Sequence, residues 1–140
     1  MVPINYLAVI VSTIVMMGLG ALWYGPFFGK QWQKLMGFTE ESMKTAKAKG
    51  MAKSYGLMAV GALIMSFVLS HSLVFATTYL GTSGIAAGIQ AGFWNWLGFI
   101  VPVSMGSVIW EGKPWKLWFI NAGYYLVGLI LIGILLALWM

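Results

Sequence analysis

Charge is what this chain has least of, and cysteine it lacks altogether. Only 8% of its 140 residues are charged, against about 25% in soluble domains, while 61% are hydrophobic and the mean hydropathy is +0.88. So few charges cannot hydrate a globular surface of this size, which excludes a water-soluble fold. Without cysteine there is no disulfide framework, no thiolate metal site and no thiol nucleophile. The single histidine, His71, cannot build a metal site that wants three or four protein ligands, so neither a metal nor any other cofactor is expected.

What is present instead is hydrocarbon in four long runs. A bilayer core needs about 20 apolar residues per helix, and residues 4–24, 55–75, 85–109 and 117–139 each supply them. The sequence therefore predicts an all-α membrane protein with four transmembrane helices in a compact bundle, as a single domain over residues 1–140. Gly25 and Pro26 stop the first run, a turn-rich outer loop over residues 76–84 stops the second, and a short connection over residues 110–116 follows the third. Residues 25–54 form a longer loop between the first two spans. Trp23, Tyr24, Trp110, Trp115, Trp118 and Trp139 fall near the span ends, where an aromatic belt sits.

The charges are sorted as well as scarce. Six lysines, Lys30, Lys34, Lys44, Lys47, Lys49 and Lys53, lie in the first loop, and Lys113 and Lys116 lie at the third connection. The outer loop and both terminal segments carry none. By the positive-inside rule this puts the lysine-bearing loops in the cytoplasm and both termini outside. No lysine precedes the first span, the reverse of a secretory signal, so that span is expected to remain. The net charge of +5 comes without a nucleic-acid recognition motif, so no nucleic-acid partner is expected.

Within the first loop, Phe28, Trp32 and Leu35 recur at i, i+4 and i+7 among Lys30, Gln31, Gln33 and Lys34, which suits a short amphipathic helix in the headgroup region. Thr39 can cap a second helix with Glu40 and Glu41 in its first turn and Lys47 near its end, the order that complements a helix dipole. The loop reads as a solvated cap, or as a surface that docks on anionic lipid.

The third span carries the most information. Projected at about 100° per residue, Gly84, Gly88, Ala91, Gly92, Asn95, Gly98, Pro102 and Gly106 fall within one arc of about 120°. Small residues on one face let membrane helices approach closely, and Pro102 predicts a kink. Asn95, on that face near mid-bilayer, must meet protein or water, because an amide facing lipid costs several kcal/mol, about 4–8 by transfer to hydrocarbon. Gln90 projects to nearly the opposite side. The second span offers a small stripe at Ala59, Ala62, Ser66 and Ser70, and the fourth a polar patch at Asn121, Tyr124, Tyr125 and Gly128. Residues of the first span, Asn5, Ser12, Met16 and Trp23, also align.

No Asp, Glu, Lys or Arg lies inside a span, which disfavours a proton-coupled carrier. No serine, histidine and acid set offers a nucleophilic triad, and the glycines lack the strand-to-helix context of a phosphate loop. A non-enzymatic protein is the expectation. An internal echo, Trp23, Gly25 and Pro26 against Trp110, Gly112 and Pro114, suggests two hairpins in parallel repeat.

Gly20-Ala-Leu-Trp-Tyr-Gly-Pro26 with Lys30 and Trp32, Trp96-Leu-Gly-Phe99 with Pro102, Glu111-Gly112 and Asn121-Ala-Gly-Tyr124 resemble a family of small bacterial four-helix membrane proteins catalogued only as a domain of unknown function. The resemblance covers essentially the whole chain and implies a multi-pass protein of the bacterial inner membrane. The family pattern has serine where Gly25 stands here, and it implies no catalytic residue. The sequence favours action by association, with the bilayer around it and either a second copy or a larger membrane partner beside it. Its alternative is a channel or carrier for a neutral or hydrophobic solute, lined by Asn95, Asn121, Tyr124, Tyr125 and His71. A lipid-modifying enzyme ranks third.

Overall fold

Four helices in the computed structural model, which describes residues 1–140, are long and apolar enough to cross a membrane: Tyr6–Phe27, Ala52–Leu80, Gly84–Ile109 and Trp115–Leu138. The chain is all-helical. Helix α1 (Tyr6–Leu22) starts at Asn5, whose side chain accepts from the Ala8 N–H, and it runs unbroken into a π-helical turn over Trp23–Phe27. Two short helices follow, α2 (Gly29–Met36) and α3 (Glu40–Ala48), separated by Gly37 at φ +75°. At Thr39 a capping box closes, with Thr39 and Ser42 each satisfying the other's backbone N–H.

Helix α4 (Ala52–Leu80) is the longest. It passes through residues 76–80, where the sequence predicted an outer loop. Thr77 and Thr78 both turn their hydroxyls back onto the Val74 carbonyl, so these polar side chains are satisfied inside the helix and do not interrupt it. The stop comes at Gly81, φ +65°, and the connection shrinks to residues 81–83.

The third span is not one regular helix. It consists of α5 (Gly84–Asn95), a π turn (Trp96–Ile100), α6 (Val101–Ser104) and α7 (Gly106–Ile109). Helix α8 (Trp115–Leu138) completes the bundle. Each π turn has a proline as its cause. In a regular helix the rings of Pro26 and Pro102 would strike the carbonyls of Leu22 and Gly98, four residues back, and a wider turn relieves that clash. Both turns open Trp-x-Gly, at residues 23–25 and 96–98. The structural echo between the halves of the chain therefore pairs Trp23 with Trp96, whereas the sequence comparison had paired it with Trp110.

Helix α1 packs against α4 and α8, and α5 packs against α8 and α4. The core runs through Ala8, Val9, Met16, Ala62, Leu69, Leu73, Ala91, Tyr124, Leu129, Ile132 and Leu136. The closest approach is between α5 and α8. A Cβ added at Gly88 would lie 2.5 Å from the Ile134 Cα, and one at Gly92 would lie 2.6 Å from the Leu129 carbonyl oxygen. Gly133 meets the Gly88 backbone from the other side. These three glycines let two backbones touch, so the tightest part of the third span's small face is filled by this chain's own fourth span.

Beyond Asn95 that face does not pack. A Cβ at Gly98 would meet nothing within 4 Å, and one at Gly106 only a ring carbon of nearby Trp110. Pro102 is exposed. The π turn over Trp96–Ile100 inserts an extra residue into the helical phase, and this swings Gly98 and the residues after it away from the face projected for an uninterrupted helix. Gly84 serves the turn instead, with φ +57° and open space around it. Ala62, Ser66 and Ser70 are buried.

Outward-facing positions are mostly apolar: Leu7, Ile10 and Ile14 on α1, Leu57, Ile64 and Val68 on α4, and Phe99 and Val103 on the third span are all exposed, with Gln90 on α5 a polar exception. Such a surface suits hydrocarbon and not water.

Candidate functional site

The two π turns are fastened to neighbouring points on α8. The Trp23 indole N–H donates to the Ile120 carbonyl at 2.9 Å, and that of Trp96 donates to the Ala122 carbonyl at 2.8 Å. Helical carbonyls keep a second lone pair after accepting their own i+4 bond, and the small residues beside them give a ring room to reach it. A Cβ at Gly123 would stand 3.3 Å from the Trp23 ring. A third indole, Trp118, donates to the Ser104 hydroxyl at 2.9 Å and ties α8 to α6.

Around this fastening lies an aromatic cluster. The Tyr24 hydroxyl donates to Asn121 Oδ1 at 2.8 Å, and the Tyr124 hydroxyl donates to the Met16 carbonyl at 3.0 Å. Gly20 leaves space for that hydroxyl, since a Cβ there would be 3.1 Å from it. The ring centroids of Tyr24 and Tyr124 are 5.4 Å apart, and those of Tyr124 and Tyr125 are 5.0 Å apart. Trp32 of α2 packs edge-on to Tyr24 at 5.5 Å. Helix α2 thus turns its apolar face onto the bundle. Gly29 permits this, because a Cβ there would sit 2.6 Å from the Tyr24 carbonyl oxygen. Asn121, Tyr124 and Tyr125 are therefore gathered in one cluster, where the first two hold helices together.

Asn95 lies elsewhere. Its Nδ2 donates to the Ala91 carbonyl of its own helix at 2.8 Å, a local bond that leaves the amide oxygen and one N–H to face outward. They face a groove of about 350 Å³ between α4, α8 and the third span, lined by Met65, Val68, Leu69, Phe99, Ile100, Leu129 and Asn95. The groove forms where the π turn carries the third span away from α4. Six of its seven lining side chains are hydrophobic, and Asn95 supplies the one polar group. A larger hollow along α3, lined by Thr39, Glu41, Ser42, Thr45, Ala46 and Lys49, is the open face of a helix that buries no residue.

His71 does not join either group. Its Nδ1 lies 2.9 Å from the Phe67 carbonyl; a carbonyl only accepts, so the proton sits on Nδ1. Its ring stacks edge-on against Phe67, with centroids 4.5 Å apart. Gln90 is exposed on α5. The structure thus separates into three places the polar residues that the sequence grouped as one lining. Sequence reasoning missed the groove residues Met65, Val68, Leu69 and Phe99, which carry no polar signal, and the roles of Trp23, Tyr24 and Trp96. The repeated Trp-x-Gly ahead of a proline was the signal for the last group.

No curated protein and no solved structure matches the chain. A family model does, that of a protein of unknown function (DUF1761), and its match spans residues 7–137. With nearly all of the chain inside that match, both π turns and the Asn95 groove included, this four-helix protein belongs to the DUF1761 family.

Proposed function

We propose that the chain is a non-enzymatic binding protein of the membrane interior, which takes a neutral or hydrophobic molecule into the groove between α4 and the third span. Asn95 carries this reading. An amide near mid-bilayer with an uncommitted carbonyl and N–H is costly against bare hydrocarbon, and a ligand with a hydroxyl or carbonyl at that depth relieves the cost. The groove's volume, about 350 Å³, lies within the roughly 300–1,000 Å³ typical of small-molecule sites. Its chemistry, one amide among alkyl and aromatic side chains, suits binding and orientation. The lysine distribution supports a bacterial inner-membrane location with both termini outside.

The test is to purify the intact chain from membranes in mild detergent and identify apolar molecules that stay bound, comparing wild type with Asn95→Leu. The amide bonds only its own helix, so the variant keeps its fold and should lose the retained species. Equal retention by the two proteins, or retention of bulk phospholipid alone, would count against the proposal.

A second reading, association with another copy or a larger partner, rests on the first turns of α4. Tyr55, Leu57, Met58 and Val60 are exposed there, and Gly56 and Gly61 have open space beside them. The seam at Gly88 and Gly92 is not free for that purpose, because α8 fills it. Gly61→Leu should then dissociate a complex that Gly92→Leu leaves assembled whenever it folds, as read by cross-linking in membranes.

A further inference from the structure

All eight lysines lie toward one end of the bundle, but they are not equivalent. Helix α3, which carries Lys44 and Lys47, buries no residue. Helix α2 is held in place: it packs on the first π turn and on α8, with Trp32 against Tyr24. Its outward positions are Lys30, Gln31 and Lys34. Lys30 and Lys34, four apart on one helix face, repel each other.

Lys116 lies in the first turn of α8, which contains no acidic residue and has no side-chain cap. A cation there adds to the positive pole of a 24-residue helix instead of offsetting it. Because α2 packs on α8, the two unfavourable arrangements belong to one rim. Lys113 adds to it, and Glu111 is the one acid in that connection. Trp110 and Trp115 are exposed at the same end, 86% and 49%, and such residues sit at headgroup depth. The rim is therefore a fixed positive surface at the level of lipid phosphates, with little counter-charge of its own.

We infer that this rim, formed by Lys30, Lys34, Lys113 and Lys116, is a selective docking surface for the headgroups of anionic phospholipids. Each lysine near an anionic surface strengthens association by about fivefold, and the effect weakens as salt shortens the Debye length from about 10 Å at 0.1 M to about 3 Å at 1 M. Fixed placement matters, because a preorganised set of charges loses less freedom on binding than the lysines of α3 would.

The experiment uses the full chain in bilayers of phosphatidylcholine with trace spin-labelled phosphatidylglycerol or phosphatidylcholine, and reads the share of each label immobilised at the protein surface. Wild type should prefer phosphatidylglycerol several-fold at 0.05 M salt and lose most of that preference at 1 M. Lys30→Gln/Lys34→Gln/Lys116→Gln should bring the preference close to one, Lys30→Arg/Lys34→Arg/Lys116→Arg should restore it, and Lys44→Gln/Lys47→Gln should leave it unchanged. Absence of preference in the wild type would overturn the inference, as would an equal loss from the α3 pair. A glutamine variant that fails to fold is replaced by Lys30→Gln/Lys34→Gln, both exposed on α2, for which a retained full preference would be just as damaging.

Discussion

Substituting Gly92 by alanine probes the contact on which the bundle closes. The new Cβ would meet the Leu129 carbonyl oxygen at 2.6 Å, its carbonyl carbon at 2.7 Å and the Ile130 nitrogen at 2.8 Å, whereas ordinary contact begins at 3.4 Å. All three atoms are backbone, so no side chain can rotate away and α5 must separate from α8. Overpacking of this kind costs about 1–3 kcal/mol. The opposing gain is helix propensity, about 0.8–1.0 kcal/mol for alanine over glycine, so the upper part of that range dominates and the expected net loss is about 1–2 kcal/mol. Gly61→Ala makes the same chemical change on an open face of α4 and should instead gain up to about 1 kcal/mol. Reversible unfolding of each variant in mixed micelles, followed by circular dichroism, measures both. If Gly92→Ala were as stable as wild type, or if its sole effect were on oligomer size, the intramolecular seam would be wrong.

Other substitutions test the fastenings separately. Trp23→Phe and Trp96→Phe should each cost about 0.6–1.7 kcal/mol, the range of interhelical hydrogen bonds in membranes, measured in the same unfolding assay. Tyr24→Phe removes the partner of Asn121 and should destabilise to a similar extent, while Tyr125→Phe, whose hydroxyl makes no hydrogen bond within the chain, should not. Ser66 is fully buried and its hydroxyl has no hydrogen-bond partner, so Ser66→Ala should raise stability by about 1 kcal/mol or more; a loss would reveal a bridging water.

The four spans were legible because length and apolarity are all a bilayer asks of a helix. The close contact at Gly88 and Gly92 was legible as a tight face, but not as one that its own chain fills, since small residues specify how near a neighbour comes and not which neighbour it is. Gly98, Pro102 and Gly106 were misplaced because a constant rotation per residue ignores the extra residue of the π turn that Pro102 itself provokes. Thr77 and Thr78 read as a turn by composition, yet the Val74 carbonyl absorbs both hydroxyls. The groove was illegible because it is made by divergence: Asn95 announces a polar need, but Met65 and Phe99 look like any lipid-facing side chain.

Helix α4 has 29 residues, which at 1.5 Å each gives about 44 Å, well beyond a hydrocarbon core of about 30 Å. Its partner α8, with 24 residues, is shorter by about 8 Å. The surplus cannot all lie inside a flat bilayer with α4 upright, so this helix must lean or carry turns outside the hydrocarbon. Its first turns, around Tyr55, Leu57 and Met58, are exposed and free to do either. A thicker membrane would draw α4 upright and a thinner one would lay it further over. Since α4 forms one wall of the Asn95 groove, the width of that groove is coupled to the thickness of the membrane around it.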